Sequence, residues 1–455
     1  MGEKLDIPTN QVEHNEKEPE KLSIDYWMDL VLDGNIEHFE ELATKIKETM
    51  KDEDPGMVSV ILERACFLQC THCLYQKDHK TSIKDSEAAD LSSIVTNIVM
   101  QMPSEEESTR GMPPTFLHEG RMLRKWHFDV FERIRKERPE ANINLIDAGN
   151  YTNFLEEFKD KKIKLDSIDI SIDGNEKSHN LQRDPEKKKA FDIAVNGLRY
   201  AREVAKKVSS LLTLTNLNFS DIEETADFLF SSNPEESARS QETGEQLPFV
   251  DAFHISFMTP ALAENFPIEI SEEEMKDTWE QIKNVSSKYV EYEENEDGDT
   301  PYVSNVVVKV YRTKDLEKIS HVVGEKKLWE AMNNNDEKDP NCITAEVGGI
   351  RFILDGVIVE YYPTSTWPTE TIHIDADGGY RAPLCQQWGI EELRAGKAKN
   401  GSDISAYTFK QMTPESSYLE SYQEVVDRYW DTFGRKNLVE EMKTFQRIRE
   451  KAQEK

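Results

Sequence analysis

The chain has 455 residues, with 56 Lys and Arg against 88 Asp and Glu, a formal charge of −32. So acidic a chain lacks the basic footprint that duplex DNA or bulk RNA demands, and an anionic membrane surface repels it. Apolar residues make up 37%, enough for a sizeable core; the length allows roughly two to three domains, or one large barrel with additions. No apolar run approaches the ~20 residues that span a bilayer. The polar, acidic N-terminus has no apolar signal core, and Pro8 with the acids after Gly2 argues against a myristoyl signal. A soluble, cytoplasmic protein is expected.

In chain order, residues 1–20 read as a disordered acidic tail and 21–54 as a helical extension with a break at Gly34-Asn35. Residues 55–260 alternate strand-like and helix-like pieces. The strand candidates are 57–62, 115–117, 143–146, 165–172, 211–217 and 249–258. Helical spacing covers 91–102, 125–138, 191–207 and 222–230. Six strands separated by helices imply a parallel sheet or a barrel. Residues 261–340 form a helical and acidic linker region, with a strand at 302–310 and a helix at 316–332. Its Asp297-Gly298-Asp299 piece lacks the ligand spacing of a calcium loop. Residues 341–395 are β-rich, and 396–455 return to charged helix.

Five cysteines are too few for a disulfide framework, but Cys66, Cys70 and Cys73 crowd the loop after the first strand. One reading is a zinc knot completed by His72 or His79. Structural zinc usually takes two separated ligand pairs, however, rather than one tight triplet. The other reading is an iron–sulfur cluster on three thiolates, which leaves one iron open to a ligand.

The Cys-x3-Cys-x2-Cys spacing, directly after the first strand, resembles the cluster motif of the radical S-adenosylmethionine (SAM) superfamily. The resemblance covers residues 55–260. It implies a [4Fe-4S] cluster on Cys66, Cys70 and Cys73, whose open iron chelates the amino and carboxylate groups of SAM. One electron then cleaves the sulfonium to a 5′-deoxyadenosyl radical, which takes a substrate hydrogen. His72 stands where the family usually has an aromatic residue. Glu119, in Leu117-His118-Glu119-Gly120, matches the acid of the Gly-Gly-Glu-Pro element that binds the SAM amino group, although the paired glycines are missing. Ser171-Ile172-Asp173-Gly174, with His179 and Arg183, resembles a stretch of the peptide-modifying members. Ser171 would contact the ribose or carboxylate, and Arg183 would pair with the carboxylate. Asp173 and His179 serve either loop or ligand. Asn216 corresponds to the segment near the adenine, as ligand contact or turn residue.

The implied fold is α/β: a partial (β/α)6 TIM-like barrel, with the N-terminal helical extension and a C-terminal α+β domain. That domain resembles a degenerate SPASM or twitch fold. Cys342 and Gly356 keep the SPASM spacing, but Tyr361 stands where the next cysteine belongs, so an auxiliary cluster lacks ligands. A lone thiol can instead return a hydrogen atom to a carbon radical, inverting the centre. The low cysteine count and this thiol resemble the proteusin-type peptide epimerases, with Cys385 as donor and Cys342 second. Tyr361, Tyr362, Trp367 and Trp388 read as core or as a peptide groove. The resemblance thus implies an L-to-D epimerase of a ribosomally made precursor peptide, served by an electron donor such as flavodoxin or ferredoxin. Peptide crosslinking, thioether formation, backbone excision, small-molecule dehydrogenation and a non-catalytic zinc module stand as rivals.

Overall fold

The structure is a computed structural model. It describes residues 39–52, 57–60, 66–68, 70–71, 84–108, 112–119, 123–231, 238–239, 246–258, 269–292, 302–334, 344–346, 349–363, 371–374, 379–381, 395, 397, 401, 408–411, 413 and 415–454. His72, Cys73, Cys342, Cys385, Trp367, Trp388 and the acidic tail lie outside the described residues.

Helix α1 (Phe39–Asp52) precedes β1 (Met57–Val60), α2 (Asp85–Gln101), β2 (Thr115–Glu119), α3 (Lys125–Glu137) and β3 (Asn142–Asp147). Next come α4 (Leu155–Asp160), β4 (Leu165–Ser171), α5 (Glu176–Arg183), α6 (Ala190–Val204), β5 (Ala205–Thr213) and α7 (Ile222–Leu229). A small hairpin, β6 (Ala238–Arg239) and β7 (Gln246–Leu247), leads to β8 (Ala252–Ser256) and α8 (Glu272–Lys288). A second pairs β9 (Val290–Tyr292) with β10 (Tyr302–Ser304), ahead of β11 (Val306–Val310), α9 (Thr313–Val323) and α10 (Glu325–Met332). Strands β12 (Thr344–Glu346), β13 (Gly349–Leu354), β14 (Val357–Tyr361), β15 (Thr371–Ile374), β16 (Gly379–Arg381) and β17 (Thr408–Gln411) follow, then α11 (Tyr418–Tyr429) and α12 (Arg435–Gln453).

Thirteen strands form one sheet in the order β12-β13-β14-β11-β8-β5-β4-β3-β2-β1-β15-β16-β17. The nine from β14 to β15 pair in parallel. The six strands expected between residues 57 and 258 are β1 to β5 and β8, so the partial α/β barrel is borne out. The sheet also extends beyond those six. Strand β11 joins β8, and the β13–β14 hairpin joins β11. At the other end β15 returns to β1. Pairing covers the row of backbone N–H and C=O groups that β1 would otherwise expose as an edge.

Alternation along each strand separates two faces. On β3, Ile143 and Leu145 are buried while Asn142 and Asn144 are half-exposed; β2 and β4 behave alike, burying Phe116, Ile168 and Ile170. The apolar side packs under helices. There Gly197 on α6 lets Ile170 and the Gly149 backbone approach. Tyr361 lies on this covered side, its ring 5.8 Å from Phe445 of α12. The residue standing where a SPASM cysteine belongs therefore fills core.

Three boundaries differ from the reading of the sequence. Helix α6 ends at Val204, because Ala205-Lys206-Lys207 pair with β4 and Lys206 Nζ reaches Asp166 at 2.7 Å. The helix expected over 316–332 is two, α9 and α10, broken by Gly324 at φ 95°. Residues 176–183 form a helix that periodicity did not reveal, started by Asn175, whose side chain accepts from the Ser178 N–H at 3.2 Å.

Gly149 follows β3 with φ 96°, and a Cβ there would lie 2.2 Å from the Ile193 carbonyl oxygen of α6. Gly149→Ala should destabilise the fold by about 2–5 kcal/mol, combining left-handed strain with overpacking. The check is a lower urea midpoint at unchanged slope.

Candidate functional site

Glu119 and Ser171 end parallel strands, Cys66, Cys70 and Asn216 lie in the loops that follow β1 and β5, and Arg183 ends the helix after β4, on the side where α/β folds gather their chemistry. After β1, Cys70 is buried and Cys66 half-buried; they pack with Leu68, Phe67, Ala148 beyond β3, and Ala190 at the start of α6. The Thr71 N–H donates to the Gln182 carbonyl at 2.7 Å, and its hydroxyl donates to the same oxygen at 3.2 Å. The cysteine loop is thereby clasped to the last turn of α5, one residue from Arg183. Among the described residues no three His, Cys, Asp or Glu side chains group as a metal site, and Cys73 lies outside them.

Glu119 ends β2 and accepts a hydrogen bond from the Ser59 hydroxyl of β1. Ser171 ends β4 and is buried. Asp173, two residues on, is fully buried and organises the loop. Its Oδ2 accepts from Arg183 Nε at 2.6 Å and its Oδ1 from the Thr213 N–H at 2.9 Å. The Asp173 N–H donates to His179 Nδ1 at 3.0 Å, and Gln182 Nε2 donates to the Asp173 carbonyl at 3.2 Å. One carboxylate thus joins β4, β5 and α5 and fixes the plane of the Arg183 guanidinium. Asp173 and His179, which the sequence left open between loop and ligand, form loop contacts here.

After β5 two asparagines divide the work. Asn218 Oδ1 accepts from the Thr215 N–H at 2.8 Å and Asn218 Nδ2 donates to the Thr213 carbonyl at 2.9 Å, so Asn218 builds the turn. The Asn216 Oδ1 is buried, with no hydrogen-bond partner among the described residues. A buried acceptor left unmade costs about 1–3 kcal/mol, so a bound molecule that donated to this oxygen would recover that cost. The amino group of an adenine or a ribose hydroxyl is such a donor. The residues present therefore fit a cluster-and-nucleotide site: thiols clasped to α5, an acid on β2, an oriented Arg183, and an orphan acceptor on the β5 turn.

The inner face of the barrel is polar. Register aligns Asp169 with Ser209, Leu211 with His254, and Lys309 with Glu360 and, through it, Arg351. Lys309 Nζ lies 3.9 Å from Glu360 Oε2, which also accepts from the Tyr362 hydroxyl at 2.7 Å. Tyr311 stacks on Tyr362 with ring centroids 5.3 Å apart. Burial, reinforced by the Lys309 and Arg351 charges, holds His254 well below the usual imidazole range, so it is neutral. Burial pushes the Asp169 carboxyl up, against the pull of Lys309 and Ser209. Sequence reading missed this lining. Its signal was a lone charge inside apolar strands: Lys309 in Val306–Val310 and Glu360 in Val357–Tyr361.

No family model matches this chain, and no curated protein does. Among solved structures, Streptococcus suis SuiB bound to its precursor peptide SuiA is similar at a TM-score of 0.50. That match has 11% identity over 87% of this chain and 72% of SuiB. SuiB bound to S-adenosylmethionine gives 0.47, at 11% identity over 88% and 76%. The chain shares its partial-barrel α/β fold with SuiB.

Asp147, at the end of β3, is buried beneath the N–H groups of Gly149, Asn150 and Tyr151, and burial raises its carboxyl from 3.8 to about 7. The folded chain then binds a proton that the unfolded chain releases. The contribution of Asp147 to stability should be greatest below pH 4 and fall as pH rises from there through 7. Asp147→Asn should flatten that slope, read from urea midpoints across pH 4 to 8.

Proposed function

We propose that this chain is a radical SAM enzyme that modifies a peptide, with its chemistry at the C-terminal ends of β1 to β5. The observation that carries the reading is the seat of the cysteine loop. Cys66 and Cys70 pack against Ala148, just past β3, and Ala190, at the start of α6, while Glu119 and Ser171 end β2 and β4 and Asn216 follows β5. Cys66, Cys70 and Cys73 would hold a [4Fe-4S] cluster with one open iron. Cluster and SAM together supply a one-electron cleavage whose product removes a substrate hydrogen atom.

The chain's own groups bind and orient. Glu119 receives the SAM amino group, and Arg183, held planar by Asp173, receives the carboxylate. Ser171 faces the ribose, Asn216 Oδ1 accepts from the adenosine, and His72 flanks the third thiol. The polar lumen, with Lys309, Arg351, Glu360 and neutral His254, accommodates the amides and side chains of a peptide. SuiB, of the same fold, was solved with a precursor peptide, which supports a peptide substrate by fold-level analogy.

The finer reading is L-to-D epimerisation. A substrate α-hydrogen leaves from one face and the Cys385 thiol returns a hydrogen atom from the other, with Cys342 as second candidate donor. Anaerobic reconstitution with iron and sulfide should give a brown protein with about four irons per chain that cleaves SAM under dithionite. A colourless zinc protein would sink the radical SAM reading. With a cognate precursor peptide in deuterated water, each inverted residue should gain one deuterium. Cys385→Ala should abolish inversion while SAM cleavage persists; normal inversion by that variant removes Cys385 as donor.

A further inference from the structure

We infer that Asn150, in the loop after β3, is a hydrogen-bond donor to a sulfur of the cluster, and that this donor raises the potential at which the cluster takes its electron. The inference rests on the radical SAM reading and adds to it a residue that no motif in the sequence marked.

The fold puts Asn150 at the cysteine corner. Ala148, two residues before it, packs with Leu68, Cys70 and Ala190, and Cys66 joins the same group. Consecutive Cα atoms are about 3.8 Å apart, so Asn150 starts at most about 7.6 Å from Ala148. Gly149, between them, lies against the first turn of α6: a Cβ there would meet the Ile193 carbonyl oxygen at 2.2 Å and the Ala194 Cα at 2.9 Å. That helix begins at Ala190, so its N-terminus, with partial positive charge, abuts the same thiols.

The loop is held on both sides of Asn150. The buried Asp147 carboxylate accepts from the N–H groups of Gly149, Asn150 and Tyr151, the last at 3.2 Å. Tyr151 is fully buried, and its hydroxyl donates to the Gly197 carbonyl of α6. The backbone that carries the Asn150 side chain is therefore fixed.

The side chain itself is 8% exposed, and one end of its amide is committed. Asn153 Nδ2 donates to Asn150 Oδ1 at 2.9 Å and to the Asn150 carbonyl at 3.1 Å. A donor faces that end, which assigns it as oxygen and leaves the amino group as the other end. Asn150 Nδ2 is buried with no hydrogen-bond partner among the described residues. A buried donor so placed requires an acceptor, and thiolate and sulfide sulfurs at the adjoining corner are anionic acceptors. One-electron reduction adds negative charge to those sulfurs. An N–H donor therefore stabilises the reduced cluster more than the oxidised one. Asn150 moves no proton and breaks no bond.

The test is a redox titration of the reconstituted protein without SAM, followed by the electron paramagnetic resonance signal of the reduced cluster. Asn150→Leu should shift the one-electron equilibrium toward the oxidised cluster by about tenfold, a potential lower by about 59 mV. Asn150→Asp keeps the acceptor for Asn153 but replaces the donor with an anion, and should lower the potential further. Asn153→Ala, at an exposed position, frees the amide and should lower it by less than Asn150→Leu. Matched thermal midpoints and about four irons per chain establish that each variant is intact. Should Asn150→Leu fail to fold, Asn150→Asp and Asn153→Ala decide. SAM affinity, measured by equilibrium dialysis, should stay at the wild-type value in Asn150→Leu. Wild-type potentials in the intact variants overturn the inference. So does weakened SAM binding at an unchanged potential, which would give the donor to the nucleotide instead. A wild-type chain that assembles no cluster overturns the radical SAM reading itself.

Discussion

A single buried carboxylate carries the geometry of the site. Asp173 has no access to solvent, and its charge is met by Arg183 and the Thr213 N–H. Removing one partner of such a pair leaves an uncompensated buried charge, which costs far more than a surface ion pair contributes. The network therefore holds as a unit. Through Gln182 it reaches Thr71 and the cysteine loop, and through Thr213 it reaches the turn of Asn216 and Asn218. Elements distant in sequence are tied to one point.

That point sits on a sheet whose two faces have opposite solvents. The outer face, with Phe116, Ile143, Leu145, Ile168 and Ile170, is buried beneath helices and supplies the hydrophobic stabilisation. The inner face carries Asn144, Asp169, His254, Lys309 and Glu360, polar groups that apolar packing alone does not require. Strands β11, β13 and β14 matter because they bring Lys309, Arg351 and Glu360 to that face. Pairing of β15 with β1 anchors the strand that precedes the cysteines.

Charge is distributed with the same economy. Over most of the molecule the lysines and arginines are neutralised by near neighbours, as in Lys47 with Asp427 and Asp431, or Arg312 with Asp315 and Glu269. At the α5–α6 turn Asp184 is committed to backbone amides instead, and the exposed Lys187, Lys188 and Lys189 stand beside the exposed Glu186 and Asp192.

Period-two and period-3.6 patterning by itself determined the six core strands and most of their helices, because a buried sheet face and an amphipathic helix each print a local repeat. Spacing also singled out the cysteine loop, and the resemblance carried by that spacing pointed to Glu119 and the Ser171–Arg183 stretch. Only the tertiary structure decided that 205–207 is strand rather than helix, since β4 supplies the partner. It also decided which asparagine builds the β5 turn and which keeps an orphan oxygen. It alone brought Lys309, Arg351 and Glu360, more than 130 residues beyond Asp169, onto one wall. Such choices depend on long-range hydrogen bonding and burial, which no local window of sequence contains.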